Sequence, residues 1–407
     1  MNHISKCICR LVQMGFRFAM PFLPYREPKR YKNIADIPKV LQEKGIKSVL
    51  LITDSGLRMN IGLLKLENAC WEKGIHLAIY DETKANPTVQ NVEEARRLYI
   101  RNGCKALIAF GGGSSIDCAK AVGARLVYPN KSVSQLKGLL RVWKKLPLLI
   151  AIPTTAGTGS EVTVTAVITD QKKKHKYTMN NFTMIPSVAV LDPEVTYSLP
   201  SHLTATTGMD ALTHVVEAYI GGSTTKETRR LSLEAARLIF ANIETAYHKP
   251  MNYEARKFML LAAYKAGLAF SKSYVGYIHA VAHSLGGQYN IAHGLANAVL
   301  MPIVLEAYGE AAHKRLYELG VAVGVAKTND SPAEGARKFI EAIRELNARM
   351  GIPEKLKGIK EEDIEKMAKY AAKEANPLYP VPKLMSAKEL EQFYYQVADY
   401  DNRDVKY

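Results

Sequence analysis

Between about residues 47 and 192 of this chain, short β-rich runs alternate with helical stretches, and after residue 208 no run of that kind recurs. The runs are SVLLITD (48–54), HLAIYDE (76–82), ALIAFGGG (106–113), LPLLIAIPTT (146–155), VTAVITD (164–170) and SVAVLD (187–192). Helical patterns such as NVEEARRLYIRNG lie between them. Apolar strands separated by amphipathic helices bury both of their faces in a largely parallel, doubly wound sheet. Beyond the break DPEVTYSLPSHLTATTG, from Met209 to about Asp399, the chain reads as consecutive helices interrupted by loops such as NPLYPVPKLM (376–385). The expectation is therefore an α/β N-terminal domain over 25–199 and an all-α C-terminal domain over 200–407, preceded by an extension over 1–24. A length of 407 residues with 47% hydrophobic content suits two packed cores. No internal repeat is visible.

The helical half carries the most specific chemistry. In HAVAHSLGGQYNIAH (279–293), His279 and His283 are four apart, so on a helix both imidazoles project from one face. Gly286 and Gly287 are expected to end that helix. Upstream, GMDALTHVVEAYI repeats the spacing with Asp210 and His214 among Leu212, Val215, Val216 and Tyr219. A carboxylate in so apolar a pattern needs a partner. One such pair alone is more often a hydrogen-bonded core pair. Two pairs followed by His293 favour a divalent-metal site, since imidazoles with one hard carboxylate are a usual ligand set.

In the first half, the strand ALIAF runs into GGGSSIDCAKAVGARL, a glycine turn followed by a helix. Gly111, Gly112 and Gly113 let backbone approach a ligand, and Ser114 with the first helical N–H groups offers donors to a pyrophosphate. The dinucleotide fingerprint is only partly matched, because its third glycine is missing, and a tight structural turn reads equally well. A second loop, IAIPTTAGTGSEV, supplies Thr154, Thr155, Gly157, Thr158, Gly159 and Ser160. Two such loops at strand ends define one ligand crevice. Asp54, closing the first strand, either takes ribose hydroxyls, which argues for NAD over NADP, or starts the turn DSG.

Composition narrows the class further. Five cysteines at 7, 9, 70, 104 and 118 have neither disulfide-framework nor zinc-knuckle spacing, which suits a reducing cytoplasm. A formal charge of +16 raises nucleic acid as a partner. The lysines are spread along the chain, however, runs such as QKKKHK are brief, and no zinc finger or RNP-type motif occurs, so a funnel for anionic nucleotide explains the charge equally well. No run reaches the roughly 20 apolar residues of a membrane span. The first twenty-four residues lack a clean cleavage site and read as an amphipathic extension docked on the body or on a partner subunit.

GGGSSIDCAK, IPTTAGTGSEVT, GMDALTHVVEAYI and HAVAHSLGGQYNIAHGLANAVLMP, in this order and spacing, resemble the iron-containing (group III) alcohol dehydrogenases over roughly residues 25 to 400. The resemblance implies the dehydroquinate synthase-like fold of that family, with a cleft between an α/β and a helical domain, and a homodimer or higher homo-oligomer. It places metal ligands at Asp210, His214, His279 and His293, holding Fe2+ or alternatively Zn2+, with His283 close by but not a ligand. It places NAD, or alternatively NADP, on Asp54, Asn86, Gly112, Gly113, Ser114, Thr154, Thr155, Thr158 and Lys176. One carboxylate and three neutral imidazoles leave a divalent ion positive and Lewis acidic. The implied reaction interconverts a primary alcohol and its aldehyde by hydride transfer to a nicotinamide. Rival readings are a polyol (glycerol-type) dehydrogenase of the same superfold and a metal-dependent hydrolase. The hydrolase needs a carboxylate base, for which Glu217 is the local candidate, and H-E-x-x-H is absent. His283 either relays the alcohol proton or orients a ligand imidazole.

Overall fold

The computed structural model describes residues 3–171 and 175–400; Lys172, Lys173 and Lys174 of the QKKKHK run and residues 401–407 lie outside them. The chain divides into an α/β unit, Pro24–Leu199 with Pro250–Gly267, and a helical unit, Met1–Leu23, Pro200–Lys249 and Leu268–Tyr407. Helix α1 (His3–Ala19) belongs to the helical unit. The α/β unit follows as β1 (Lys29–Tyr31), α2 (Ile37–Glu43), β2 (Ser48–Ile52), α3 (Ile61–Glu72), β3 (His76–Tyr80), α4 (Val89–Arg101), β4 (Ala106–Gly111), α5 (Gly113–Val127), β5 (Gly138–Leu139), β6 (Leu148–Pro153), β7 (Thr165–Asp170), β8 (His175–Asn180) and β9 (Val188–Val190). The helical half comprises α6 (Ser201–Ile220), α7 (Lys226–His248), α8 (Tyr253–Ser273), α9 (Tyr277–Tyr289), α10 (His293–Tyr308), α11 (Glu310–Ala322), α12 (Pro332–Arg349), α13 (Glu361–Ala375) and α14 (Ala387–Val397). The first part of α8, to Gly267, joins the α/β unit.

Six strands form a wholly parallel sheet in the order β1-β9-β6-β4-β2-β3. Its central strands are apolar at nearly every position because both faces are covered. Leu50, Ile52, Leu107 and Ala109 point toward α4 and α5, packing with Val92, Ala95, Ile116 and Ala119. The alternate residues Val49, Leu51, Ile108 and Phe110 pack on the other face with Val40, Leu41, Leu63 and Leu66. Each fully buried aliphatic side chain contributes roughly 2 kcal/mol of transfer free energy. From β2 the chain crosses to β3 on one side and then returns past β2 to β4 on the other. That reversal puts a topological switch point at the carboxyl ends of β2 and β4, where open α/β sheets hold ligands.

Two expectations are corrected. VTAVITD does not join the parallel sheet: β7 pairs antiparallel with β8 in a separate three-stranded sheet ordered β5-β8-β7. Its alternating burial, with Ala166 and Ile168 fully inside and their neighbours partly exposed, is that of a strand covered on one face. Helix α9 also runs through Gly286 and Gly287 to Tyr289, and Asn290 ends it in the left-handed conformation at φ +57°. An interior glycine costs only about 1 kcal/mol, which packing against α10 and α13 outweighs.

In the helical unit, α6 is buried continuously from Gly208 to Ile220 and packs on α7 and α10, while α9 packs on α10 and α13. Gly294 lets the start of α10 meet the α6 backbone, since a Cβ there would lie 2.4 Å from the Thr206 carbonyl oxygen. This close approach sets His293 beside Asp210.

Candidate functional site

Three of the sequence-predicted ligands converge: one ligand atom each from Asp210, His279 and His293 lies within 4.8 Å of the others. They come from α6, α9 and the first residue of α10. His293 Nε2 is 3.5 Å and His279 Nε2 3.8 Å from Asp210 Oδ1. The fourth, His214, stands outside that three-residue set but borders it. Its ring centroid is 4.4 Å from that of His279 and 4.1 Å from Phe270, on which it stacks.

The protonation of this cluster follows from its surroundings. Glu217, one turn beyond His214 on α6, accepts hydrogen bonds from the amides of Gly276 (2.7 Å) and Ile278 (2.8 Å) and meets His279 Nδ1 at 2.6 Å. With Nδ1 donating to that carboxylate, His279 Nε2 carries a lone pair aimed at Asp210. Burial lowers the pKa of His214 and of His279 to about 4, so both rings are neutral at physiological pH. Burial pushes Glu217 up to about 7, while the amides of Gly276 and Ile278 draw it back. Burial would raise Asp210 as well, but the adjoining imidazoles and the Asn297 amide outweigh it and its pKa is lowered. Asn297 Nδ2 donates to Asp210 Oδ1 at 2.7 Å.

Two imidazole nitrogens here, His214 Nδ1 and His279 Nε2, are buried and make no hydrogen bond. Leaving a buried polar atom unpaired costs about 1 to 3 kcal/mol, so the orphaned His279 Nε2, 3.8 Å from Asp210 Oδ1, is a costly arrangement unless a cation joins the two. The donor set fits a divalent first-row metal: imidazoles, one hard carboxylate and, at His279, a tautomer fixed from behind by Glu217.

His283 lies beside the cluster with a different set of partners. Its ring stacks on that of His293 at 5.1 Å, while Glu374 Oε1 lies 2.6 Å from Nδ1. Tyr379 Oη donates to the same Glu374 oxygen at 2.7 Å. Burial acts to raise Glu374, but the adjoining His283 holds it below the usual carboxylate range.

The α/β unit gathers the residues expected to hold a dinucleotide around its switch point. Asp54 follows β2, and Gly111 to Gly113 link β4 to α5. A Cβ on Gly111, at φ +154°, would strike Ser115 Oγ at 2.4 Å, and one on Gly113 would strike Thr158 Cγ2 at 2.8 Å. The glycines thus allow the two loops to pack directly, with Thr155 against Gly112 and Thr154 N donating to the Gly111 carbonyl at 3.0 Å. Ser114 Oγ donates to the carbonyl of Ala85, beside Asn86. Lys176 pairs in register with Thr169, whose amide bonds Pro87, so it too falls near Asn86. Burial lowers the Lys176 pKa and raises that of Asp54.

Sequence reading missed the groups that brace these loops. Lys120, buried on α5, donates to Ser160 Oγ (3.1 Å), Thr163 O and Oγ1 (both 2.9 Å) and Thr165 O (2.8 Å). Asp117, one turn earlier, accepts from Ser160 Oγ at 2.6 Å and Val167 N at 2.9 Å. Their spacing of three within SSIDCAK was the available signal. In the helical unit Asn297, four residues after His293, carried a similar signal, whereas Glu374 lies 91 residues from His283 and carried none.

Residues 30–193 match the family model of iron-containing alcohol dehydrogenases, and residues 204–398 match the C-terminal model of the same family. A 1,3-propanediol dehydrogenase of Klebsiella pneumoniae is 36% identical over 89% of this chain and 93% of its own. An NAD-dependent methanol dehydrogenase of Bacillus methanolicus is 36% identical over 83% of this chain and 89% of its own. Among solved structures, a 1,3-propanediol oxidoreductase superposes with a TM-score of 0.88 at 35% identity, covering 92% of this chain and 99% of its own.

Proposed function

Because the chain belongs to the iron-containing alcohol dehydrogenase family, we propose that it interconverts a small primary alcohol and its aldehyde, with NAD as the hydride carrier. A ferrous ion held by Asp210, His214, His279 and His293 completes the proposal. The observation that carries it is the orphaned His279 Nε2 within the cluster of Asp210, His279 and His293, with a second orphaned nitrogen, His214 Nδ1, on the ring beside it. When bound, the ion supplies Lewis acidity, which makes an alcohol hydroxyl more acidic and a carbonyl more electrophilic. Relatives named for methanol and 1,3-propanediol support a small, weakly polar substrate.

The chain's own residues do the rest. Glu217 and Asn297 fix the orientation of His279 and Asp210. The close-packed glycine and threonine loops, with the N-terminus of α5, bind the pyrophosphate. His283, its Nδ1 engaged by Glu374, takes the alcohol proton at Nε2 and passes it toward solvent. Glu217 is spent on His279 and two backbone amides, and so it is not free to activate water as a hydrolase base.

Two variants test the residue roles. His283→Ala is expected to keep a full complement of metal and to lower turnover about a hundredfold, the usual range for a positioned acid–base group. Unchanged turnover would leave His283 without a proton role, and loss of metal would make it a ligand. Asp54→Gly is expected to raise the kcat/KM ratio for NADP over NAD about tenfold or more, by removing a negative charge that opposes the 2′-phosphate. A wild-type preference for NADP would contradict that reading of Asp54.

A further inference from the structure

Helix α1 is mounted the wrong way round for a helix in water. Its inward side is fastened by polar groups: Arg10 Nη1 and Nη2 donate to the carbonyls of Val381 and Pro382 at 2.8 Å, and Gln13 Nε2 donates to the Tyr379 carbonyl at 2.8 Å. Cys9 and Gln13 are its buried side chains, and Phe16 packs edge-on against Tyr274 at 5.2 Å. The outward side carries Ile4, Ile8, Leu11 and Phe18, with Phe22 continuing the line beyond the helix. Ile4 and Phe18 are each 71% exposed and Phe22 87%. These positions follow the alternating three- and four-residue spacing of one helical face, interrupted only by Gly15. An aligned apolar stripe left in solvent marks an interaction surface, unlike scattered single exposed residues.

Charge indicates what covers it. Residues 1–26 contain Lys6, Arg10, Arg17 and Arg26 and no acidic residue, within a chain of net charge +16. Lys6 and Arg17 are exposed. The polar face behind the stripe carries Lys6 and Arg17 and no acid, the pattern of a helix lying in an anionic lipid interface, and it offers a second copy of α1 no opposite charge to pair with. The helix has 17 residues, about 25 Å at 1.5 Å per residue, which is too short to span a bilayer and ample to lie in its interface. Among the described residues no helix is long and apolar enough to cross a membrane.

We propose that α1 is a docking surface for an anionic lipid bilayer, with Ile4, Ile8, Leu11, Phe18 and Phe22 entering the headgroup boundary and Lys6 and Arg17 pairing with lipid phosphates. The enzyme is thereby a peripheral membrane protein, held by polar contacts between α1 and the segment that follows α13. This inference stands apart from the reading of the active site, because none of the residues of α1 belongs to that site.

The test is flotation of the full-length protein with vesicles of phosphatidylcholine alone and with vesicles containing an equal part of phosphatidylglycerol. Wild type is expected to float with the mixed vesicles and not with the zwitterionic ones. Ile8→Glu/Phe18→Glu and Lys6→Gln/Arg17→Gln are each expected to lower retention about tenfold or more while alcohol oxidation in solution stays at the wild-type rate. No flotation of wild type, or equal flotation with both vesicles, would overturn the proposal. So would an oligomer that dissociates in Ile8→Glu/Phe18→Glu, since a second copy would then cover the stripe.

Discussion

Replacing Asp210 with alanine is expected to empty the metal site and to lower turnover by about three orders of magnitude, while NAD binding to the α/β unit persists. The size follows from the several kcal/mol that Lewis-acid stabilisation contributes, at about 1.4 kcal/mol per factor of ten. Asp210 is the only carboxylate whose oxygen lies within 4 Å of both His279 Nε2 and His293 Nε2 among the described ion pairs. Its removal leaves neutral imidazoles alone, with no anion to offset the charge of a dication. His279→Ala is expected to behave alike, since His279 Nε2 is one of the two orphaned nitrogens. Metal analysis of the purified variants beside equilibrium titration with NADH checks both halves. Full metal occupancy in either variant would remove that residue from the ligand set.

Glu217→Ala is expected to be the most destabilising single change near the site, by about 3 kcal/mol or more. The carboxylate is buried and takes three partners, the amides of Gly276 and Ile278 and His279 Nδ1, so its loss strands two buried N–H groups and frees the His279 ring. Stranded buried donors cost about 1 to 3 kcal/mol each, and breaking a buried charged network costs about 3 to 5 kcal/mol. Metal affinity should fall by a further factor of about 10 to 100 through the loss of ligand orientation. Denaturant unfolding of the metal-free protein separates the two effects. A metal-free stability equal to wild type would show that the backbone amides find other acceptors, and Glu217→Gln, which keeps one acceptor oxygen, is expected to lose less.

The candidate sites were legible in the sequence where one element carries the whole pattern. Asp210 and His214 share a helix face, the glycines at 111–113 sit at a strand-to-helix turn, and the threonine loop follows the next strand in the sheet order. What escaped notice depends on contacts between distant elements. Glu374, itself bonded by Tyr379, reaches His283 only after α13 packs on α9. Glu217 was visible as a carboxylate, but its partners at 276–279 are 59 to 62 residues away, so it read as a base rather than a brace. β8, with the sequence HKYTMN, was missed because its mixed polar pattern lacks the apolar run of the central strands, and its pairing with β7 moved that strand out of the parallel sheet.

Metal-dependent alcohol oxidation is tested most directly by one titration. The protein is stripped with a chelator under anaerobic conditions and refilled stepwise with ferrous ion, while NADH formation from NAD and a small primary alcohol is followed by absorbance. The account predicts no turnover in the stripped protein and a rate that rises in proportion to bound ion, levelling at one per chain. Full turnover in the stripped protein, or a refilled protein inactive toward every small primary alcohol offered with NAD and with NADP, would contradict it.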